Sequence, residues 1–433
     1  VGSEMCIRDS DRAFIQAERL RKKGKLKEVY RIVLDLEKRC PTLPYTKGYA
    51  AVLILKGKVL WALGKADEAE KALLAGLEVS ERIGHRRYKA VSLSALGSLC
   101  LREGRFREAR KFFEDYRKVY EEIGDEAGVS RALANLAQVE LEAGNLKEAE
   151  RLYLQALSLN GRDTSQDSVL WLGLGRVASE QRDWRKAFRA YEKARSAAKN
   201  LDQRLRATVN LGALWAQQGD LKRARATYEE ALRLAGSPSF HSLKAAVLNN
   251  LACLDLEEEK RSEAREKLQA ALSVFLTLND LRMAGRVLAN LCLLDWEEGL
   301  EEQAHKRYLR ACSILRKAND LAVEAGLICE RAKRLSREGK WKEARRGFEE
   351  ALELWKRIRD YQGLAVAYSQ LGKVAKALGK REEACRYLSK AVEALAKQRG
   401  RLSARFYHET YLNLIEAAEA FPLVAGELIA LGK

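Results

Sequence analysis

Gly173-Leu-Gly-Arg-Val-Ala178 has the spacing of a dinucleotide-binding turn, Gly-x-Gly-x-x-Ala. That chemistry needs a strand that ends in a tight turn and a helix whose first amides meet a pyrophosphate. Here Trp171 and Leu172 lead in with a continuing helical pattern, so the glycines are expected to serve helix packing. Gly372 to Lys380 lacks the Gly-x4-Gly-Lys-Ser/Thr spacing of a phosphate loop. His85, His241, His305 and His408 are far apart and form no His-x-x-x-His pair, so no metal site is expected. The 8 cysteines include no Cys-x-x-Cys pair, and Cys100, Cys292 and Cys329 sit inside helical apolar patterns. They read as reduced, buried thiols of a cytoplasmic protein. Carboxylates are plentiful but fall on solvated helix faces, as in Glu257-Glu258-Glu259, and no nucleophile lies beside a base. Neither catalysis nor a cofactor is expected.

The elements that carry these residues are helices. The chain has 433 residues, 47% hydrophobic and 32% charged, with 4 prolines. Long proline-poor stretches of Ala, Leu, Glu, Lys and Arg favour helix. No apolar run reaches the length of a membrane span, and no secretory h-region is present, so no membrane partner is expected. A single core of this size is unusual, but an array of units that each bury a face against a neighbour escapes that limit.

A short pattern does recur: Gly-x-hydrophobic-x-x-Ala-x-x-x-aromatic, clearest in Gly144-Asn-Leu-Lys-Glu-Ala149 followed by Tyr153 and Ala156. Its turn position falls at Gly24, Gly64, Gly104, Gly144, Arg182, Gly219, Glu259, Gly299, Gly339 and Gly379, with spacings of 40, 40, 40, 38, 37, 40, 40, 40 and 40. Five residues after the turn stands Val29 in the first unit and alanine in the rest, from Ala69 to Ala384. Seven before it stands Ala, Gly or Cys, as in Gly57, Gly97, Gly175, Gly212, Cys292 and Gly372. Small residues are needed where two helices cross closely. Nine after it stands a larger apolar group such as Leu73, Phe113, Tyr191 or Tyr228, expected to fill the space between adjacent hairpins. Each unit is thus helix A, a tight turn, helix B and a loop. The loops recur as Ile-Gly-Asp at 123–125, Leu-Asn-Asp at 278–280, Ala-Asn-Asp at 318–320 and Ile-Arg-Asp at 358–360. Trp184 and Trp341 follow a turn and are expected to pack in the core.

Leu211-Gly212, Leu371-Gly372, Ala149-x-x-x-Tyr153 and Ala224-x-x-x-Tyr228 carry a resemblance to the tetratricopeptide repeat family. The resemblance covers ten units from about residue 11 to 399. Two features depart from it: the period is 40 instead of the family's ~34, and the loop proline is missing. That is similar to the long-helix variant found in cell-polarity adaptors and in sensor arms of bacterial regulators. The resemblance implies an all-α fold, a right-handed superhelical solenoid of helix-turn-helix repeats. Residues 400–433 are expected to form a capping helix and tail, with Pro422 ending the helix.

The resemblance further implies that helix A lines a concave groove, with ligand-facing positions three, six and ten residues before the turn. On this chain they give Lys58, Gln138, Arg176, Val209, Asn249, Leu293, Trp296, Lys333, Lys373 and Lys376, with Arg337 beside them. The middle of the groove reads as apolar and its last two units as basic. The expected partner is therefore a protein or peptide, extended or helical, with an acidic end toward the C-terminal units. Asn135, Asn210, Asn250 and Asn290 recur nine before the turn and read as a repeated helix-to-helix hydrogen bond. The family's chaperone-tail clamp is not intact.

Net charge is +18, and residues 331–433 hold 22 Lys+Arg against 13 Asp+Glu. Such an excess attracts acidic partners, including nucleic acid. Nucleic-acid binding through the C-terminal repeats is thus an alternative, weakened by interleaved charges as in Lys342-Glu343-Ala344-Arg345-Arg346 and by the lack of an aromatic ladder. A third reading is the sensor or oligomerisation arm of a signalling or transcription regulator. It ties to Val1–Ser10, which does not fit the repeat and reads like a translated sequencing adapter or else a natural leader. As a non-native leader, it would leave the real N-terminus upstream.

Overall fold

The computed structural model describes residues 16–17, 20, 26–39, 47–159, 166–236 and 240–398. The expected leader and the expected cap over 400–433 lie outside the described residues. Among the described residues the secondary structure is helical throughout. The helices are α1 (Leu26–Arg39), α2 (Lys47–Ala62), α3 (Ala66–Arg82), α4 (Arg86–Arg102), α5 (Phe106–Ile123) and α6 (Glu126–Glu142). Next come α7 (Leu146–Leu159), α8 (Asp167–Glu180), α9 (Trp184–Ser196), α10 (Leu201–Gln217), α11 (Leu221–Leu234) and α12 (His241–Glu257). The series ends with α13 (Arg261–Thr277), α14 (Leu281–Glu297), α15 (Glu301–Lys317), α16 (Leu321–Arg337), α17 (Trp341–Ile358), α18 (Tyr361–Ala377) and α19 (Arg381–Gln398). Even-numbered helices are the A helices of the repeat, and odd-numbered ones the B helices.

Every described turn position has the left-handed backbone that closes helix A. Gly64, Gly104, Gly144, Gly219, Gly299, Gly339 and Gly379 have φ between 74° and 82°. Arg182 and Glu259 take the same conformation at φ 59° and 60°, although a side chain makes it costly. At Gly144 the turn amide donates to the Leu141 carbonyl at 3.1 Å and the Asn145 amide to the Glu140 carbonyl at 2.8 Å. Those two bonds satisfy carbonyls that the ending helix would otherwise orphan. The loops between hairpins repeat the device with Gly124, Asn279, Asn319 and Arg359 left-handed. At three of these four loops the aspartate that follows then caps the next helix, as where Asp125 accepts from the Gly128 amide at 2.9 Å and Asp360 from the Gly363 amide at 3.1 Å; Asp320 holds Arg286 instead.

The expected small-residue slot is where each hairpin crosses itself. A methyl built at Gly57 would lie 2.5 Å from Leu73, at Gly97 2.7 Å from Phe113, at Gly175 2.3 Å from Tyr191 and at Gly212 2.6 Å from Tyr228. The large residue nine after the turn therefore rests on the small residue of its own hairpin. It also meets the following hairpin, as expected: Tyr153 would lie 2.3 Å from a Cβ built on Gly173, and Phe113 shares a cluster with Leu133 and Leu136. The second glycine of the dinucleotide-like stretch is Gly175, so that stretch is a packing site inside α8.

The array divides into two units, residues 1–254 with 273–279, and residues 255–272 with 280–433. In the first, successive clusters such as Cys100, Phe113, Leu136 and Tyr153 join neighbouring hairpins. In the second, one continuous core runs from Leu288 through Phe348 to Leu395. Each fully covered large apolar side chain contributes about 1.5–3 kcal/mol. Trp184 and Trp341 pack half-buried against these cores, as expected. None of the described helices is long and apolar enough to cross a membrane.

Candidate partner-binding surface

The A helices place the expected groove residues in three environments. Arg337 on α16 and Lys376 on α18 are exposed. Lys58 on α2, Gln138 on α6, Lys333 on α16 and Lys373 on α18 are half-buried. Lys333 already holds Glu330 at 2.6 Å, and Lys58 and Lys373 have polar partners too. Arg176 on α8 donates to Glu142 on α6 at 2.9 Å, a link between successive A helices. Val209 and Leu293 are half-buried against the apolar clusters of their own units.

Two of the expected residues are internal. Trp296 is 7% exposed, with its ring 6.0 Å from that of Tyr308 and the Arg334 guanidinium 5.8 Å from its centroid. Its place three residues before the turn turns it onto helix B of its own hairpin instead of toward a ligand. Asn249 is 9% exposed. In the apolar middle of the expected groove Trp296 is thus core while Val209 and Leu293 are half-buried, and the exposed cations are Arg337 on α16 and Lys376 on α18. The recurring asparagines also differ from the expectation of one shared bond. Asn210 donates to the Arg206 carbonyl of its own helix at 2.9 Å, whereas Asn250 bonds the buried Tyr228 of the preceding helix.

Four of the thiols are buried and chemically quiet. Burial pushes Cys100 and Cys312 up to about 11, and Cys292 and Cys329 up to about 12. They stay protonated at neutral pH, which suits packing and not nucleophilic attack. Glu70, Cys100 and Glu108 approach one another closely enough to suggest a metal site. Arg105 organises that cluster, however, with Nη2 2.7 Å from Glu70 Oε1 and Nε 2.8 Å from Glu108 Oε1.

The B helices carry features that the sequence reading passed over. Ten residues after the turn stand Leu74, Leu154 and Leu309, exposed by 44%, 49% and 53%. Glu114, Glu229, Gln269 and Glu349 hold the same position in other units, so an apolar side chain on an otherwise polar stripe was the available signal. Leu154 opens a groove of about 460 Å3 with Trp171, Leu174 and Phe188 along its walls. Lys193 lies 4.1 Å above the Trp171 ring. Leu309 borders a second groove, of about 420 Å3.

Hairpins closed by left-handed turns and crossed at a small-on-large slot define a helical-hairpin repeat protein. A tetratricopeptide repeat family model matches residues 48–122, 128–200, 166–237 and 329–397, more than half of the chain. The chain belongs to the tetratricopeptide repeat family, and its fold is the all-α helix-turn-helix array of that family. Human protein O-mannosyl-transferase TMTC1 is 30% identical over 248 residues, 49% of this chain and 26% of the relative. The mouse protein of the same name is 38% identical over 116 residues, 27% of this chain and 11% of the relative. The chain thus spans about a quarter or less of the length of these relatives. Among solved structures, a Rap protein complexed with Competence and Sporulation Factor aligns with a TM-score of 0.54 at 15% identity, covering 82% of this chain and 99% of that one.

Proposed function

We propose that this protein-interaction array holds an extended peptide or protein segment along its A helices, with an acidic stretch of the partner against α16 and α18. The carrying observation is that Arg337 and Lys376 are exposed on A helices of adjacent repeats. Opposite charge there steers and orients a partner more than it tightens it. The Rap protein, which shares the fold, was solved in complex with a factor, which supports partner binding as the use of such an array. The O-mannosyl-transferase name belongs to relatives of which this chain spans a small part; its own share is binding, without catalysis. A cytoplasmic location and a place in signalling belong to the same proposal.

The test is selection of displayed random peptides on the immobilised chain, followed by titration of the enriched sequences. Enrichment of acidic peptides that weaken about tenfold with Arg337→Glu plus Lys376→Glu supports the reading. Peptides indifferent to that double change reject it. Retention of mixed-sequence oligonucleotide, lost with salt, would move the assignment to nucleic acid.

A further inference from the structure

We infer a second binding face in the second unit: the groove between helix B α15 and the outer side of α16 takes an acidic residue of a protein partner together with a neighbouring leucine-class side chain. It is separate from the A-helix surface. Arg331 and Lys333 are two residues apart on α16, which at 3.6 residues per turn sets them about 200° apart around the helix. Lys333 belongs to the A-helix face, and Arg331 lines the groove.

Both halves of the recognition are present. The groove encloses about 420 Å3, and Leu309 at its rim is 53% exposed, the largest exposure of any large apolar side chain among the described residues. Cys312 lies one turn further along the same helix and extends the apolar strip. On the polar side stand Arg316, Lys317 and Arg331. Arg316 is already used, at 2.6 Å from the buried Glu324 and 3.7 Å from Glu350. Arg331 lies 4.6 Å over the Tyr308 ring and bonds its hydroxyl. Neither Arg331 nor Lys317 has a carboxylate within ion-pair distance among the described residues. Two uncompensated cations beside an exposed leucine complement a carboxylate beside an apolar side chain.

The groove around Leu154 in the first unit shows what makes this one basic. Leu309 corresponds to Leu154, each ten residues after its turn, and Arg331 to Leu174, each eight before the next turn. The cations lining the first groove, Lys186, Arg189 and Lys193, share it with Glu150 and Glu192, whereas Arg331 joins Arg316 and Lys317 in a lining that holds no acidic residue. A phosphate backbone suits the site less well. Tyr308 is 7% exposed and covered by Arg331, so no open aromatic face remains on which a base could stack.

The probe is again a displayed random dodecamer library on the full chain, with enriched peptides titrated by anisotropy against variants. Peptides that pair Asp or Glu with Leu, Ile or Phe, and that weaken at least about tenfold with Arg331→Ala plus Lys317→Ala, are the expected result. Leu309→Glu should cause a similar loss. That residue is exposed, so the variant folds, and its carboxylate neutralises the two cations from within. Arg337→Glu plus Lys376→Glu should leave these peptides bound, which separates this face from the A-helix proposal. Three results overturn the inference: no such enrichment, sensitivity to the A-helix pair alone, or indifference to Leu309→Glu. Oligonucleotide binding abolished by Arg331→Ala plus Lys317→Ala would replace the peptide with a phosphate ligand. Self-association abolished by Leu309→Glu would replace it with a second copy of the chain.

Discussion

Two seams, one in each unit, place opposite charges at the same register. Between α7 and α9, Glu150 stands six residues after its turn and pairs with Lys186, four after the next, while Gln181 also donates to it at 3.0 Å. Between α17 and α19 the same two positions hold Arg345 and Glu383, joined at 2.5 and 3.1 Å. The signs are exchanged and the geometry is kept. The grooves differ by more than sign, Leu174 in one standing where Arg331 stands in the other. The B-helix surface can therefore change chemistry from repeat to repeat, because register is fixed elsewhere, at the small-on-large crossing and the left-handed turns.

The largest effect should come from breaking that register. Gly175→Leu drives a side chain into Tyr191, where even a methyl would sit 2.3 Å away. A loss of about 3 kcal/mol is expected, read by urea unfolding, with α8 and α9 losing exchange protection first. Little change would mean that the crossing does not set the register. Somewhat smaller is the effect of Asp295→Ala. Its side chain is fully buried, 2.8 Å from Arg265 and bonded to Arg307, so Arg307 would lose its counter-charge and Arg265 would keep only Glu298, at 2.8 Å. A loss of about 2–3 kcal/mol is expected. The seams come next. Glu150→Lys alone should destabilise by about 1 kcal/mol, and adding Lys186→Glu should restore most of it, reproducing in the first unit the polarity of the second. Absence of rescue would show that the exchanged signs are not interchangeable.

The sequence revealed the frame more completely than the surface, for a physical reason. A turn closed in left-handed geometry selects glycine, and a close crossing selects Gly or Ala, so residue type reports geometry directly at Gly144 or Gly212. Even Arg182 and Glu259 were placed by spacing alone, against their side chains' preference. Trp296 shows the limit. Its distance from the turn matched a ligand-facing position, but a large aromatic ring gains more by packing on Tyr308 than by facing water. Leu154 and Leu309 show the opposite error. They stood in plain view as apolar residues on a polar stripe, and no motif pointed to helix B.

Acid should test the two seams against each other by the smallest effect. The Lys186 ammonium, outweighing the opposing effect of burial, holds the Glu150 carboxyl below its ordinary value of 4.5. The Arg345 guanidinium does the same for Glu383. A carboxyl whose pKa falls on folding binds fewer protons folded than unfolded near that pH. Its stabilisation is complete above about pH 4.5 and disappears as pH falls through the lowered folded value. Both carboxylates are about a fifth exposed, so screening limits each to about 0.5 kcal/mol. Stability measured against pH from 6 down to 3 should therefore fall less steeply in Glu150→Gln and in Glu383→Gln than in the parent, and by similar amounts. Equal slopes in parent and variants would show that neither pair is held in solution. A change in one variant alone would show that the two seams, though matched in register, are not matched in strength.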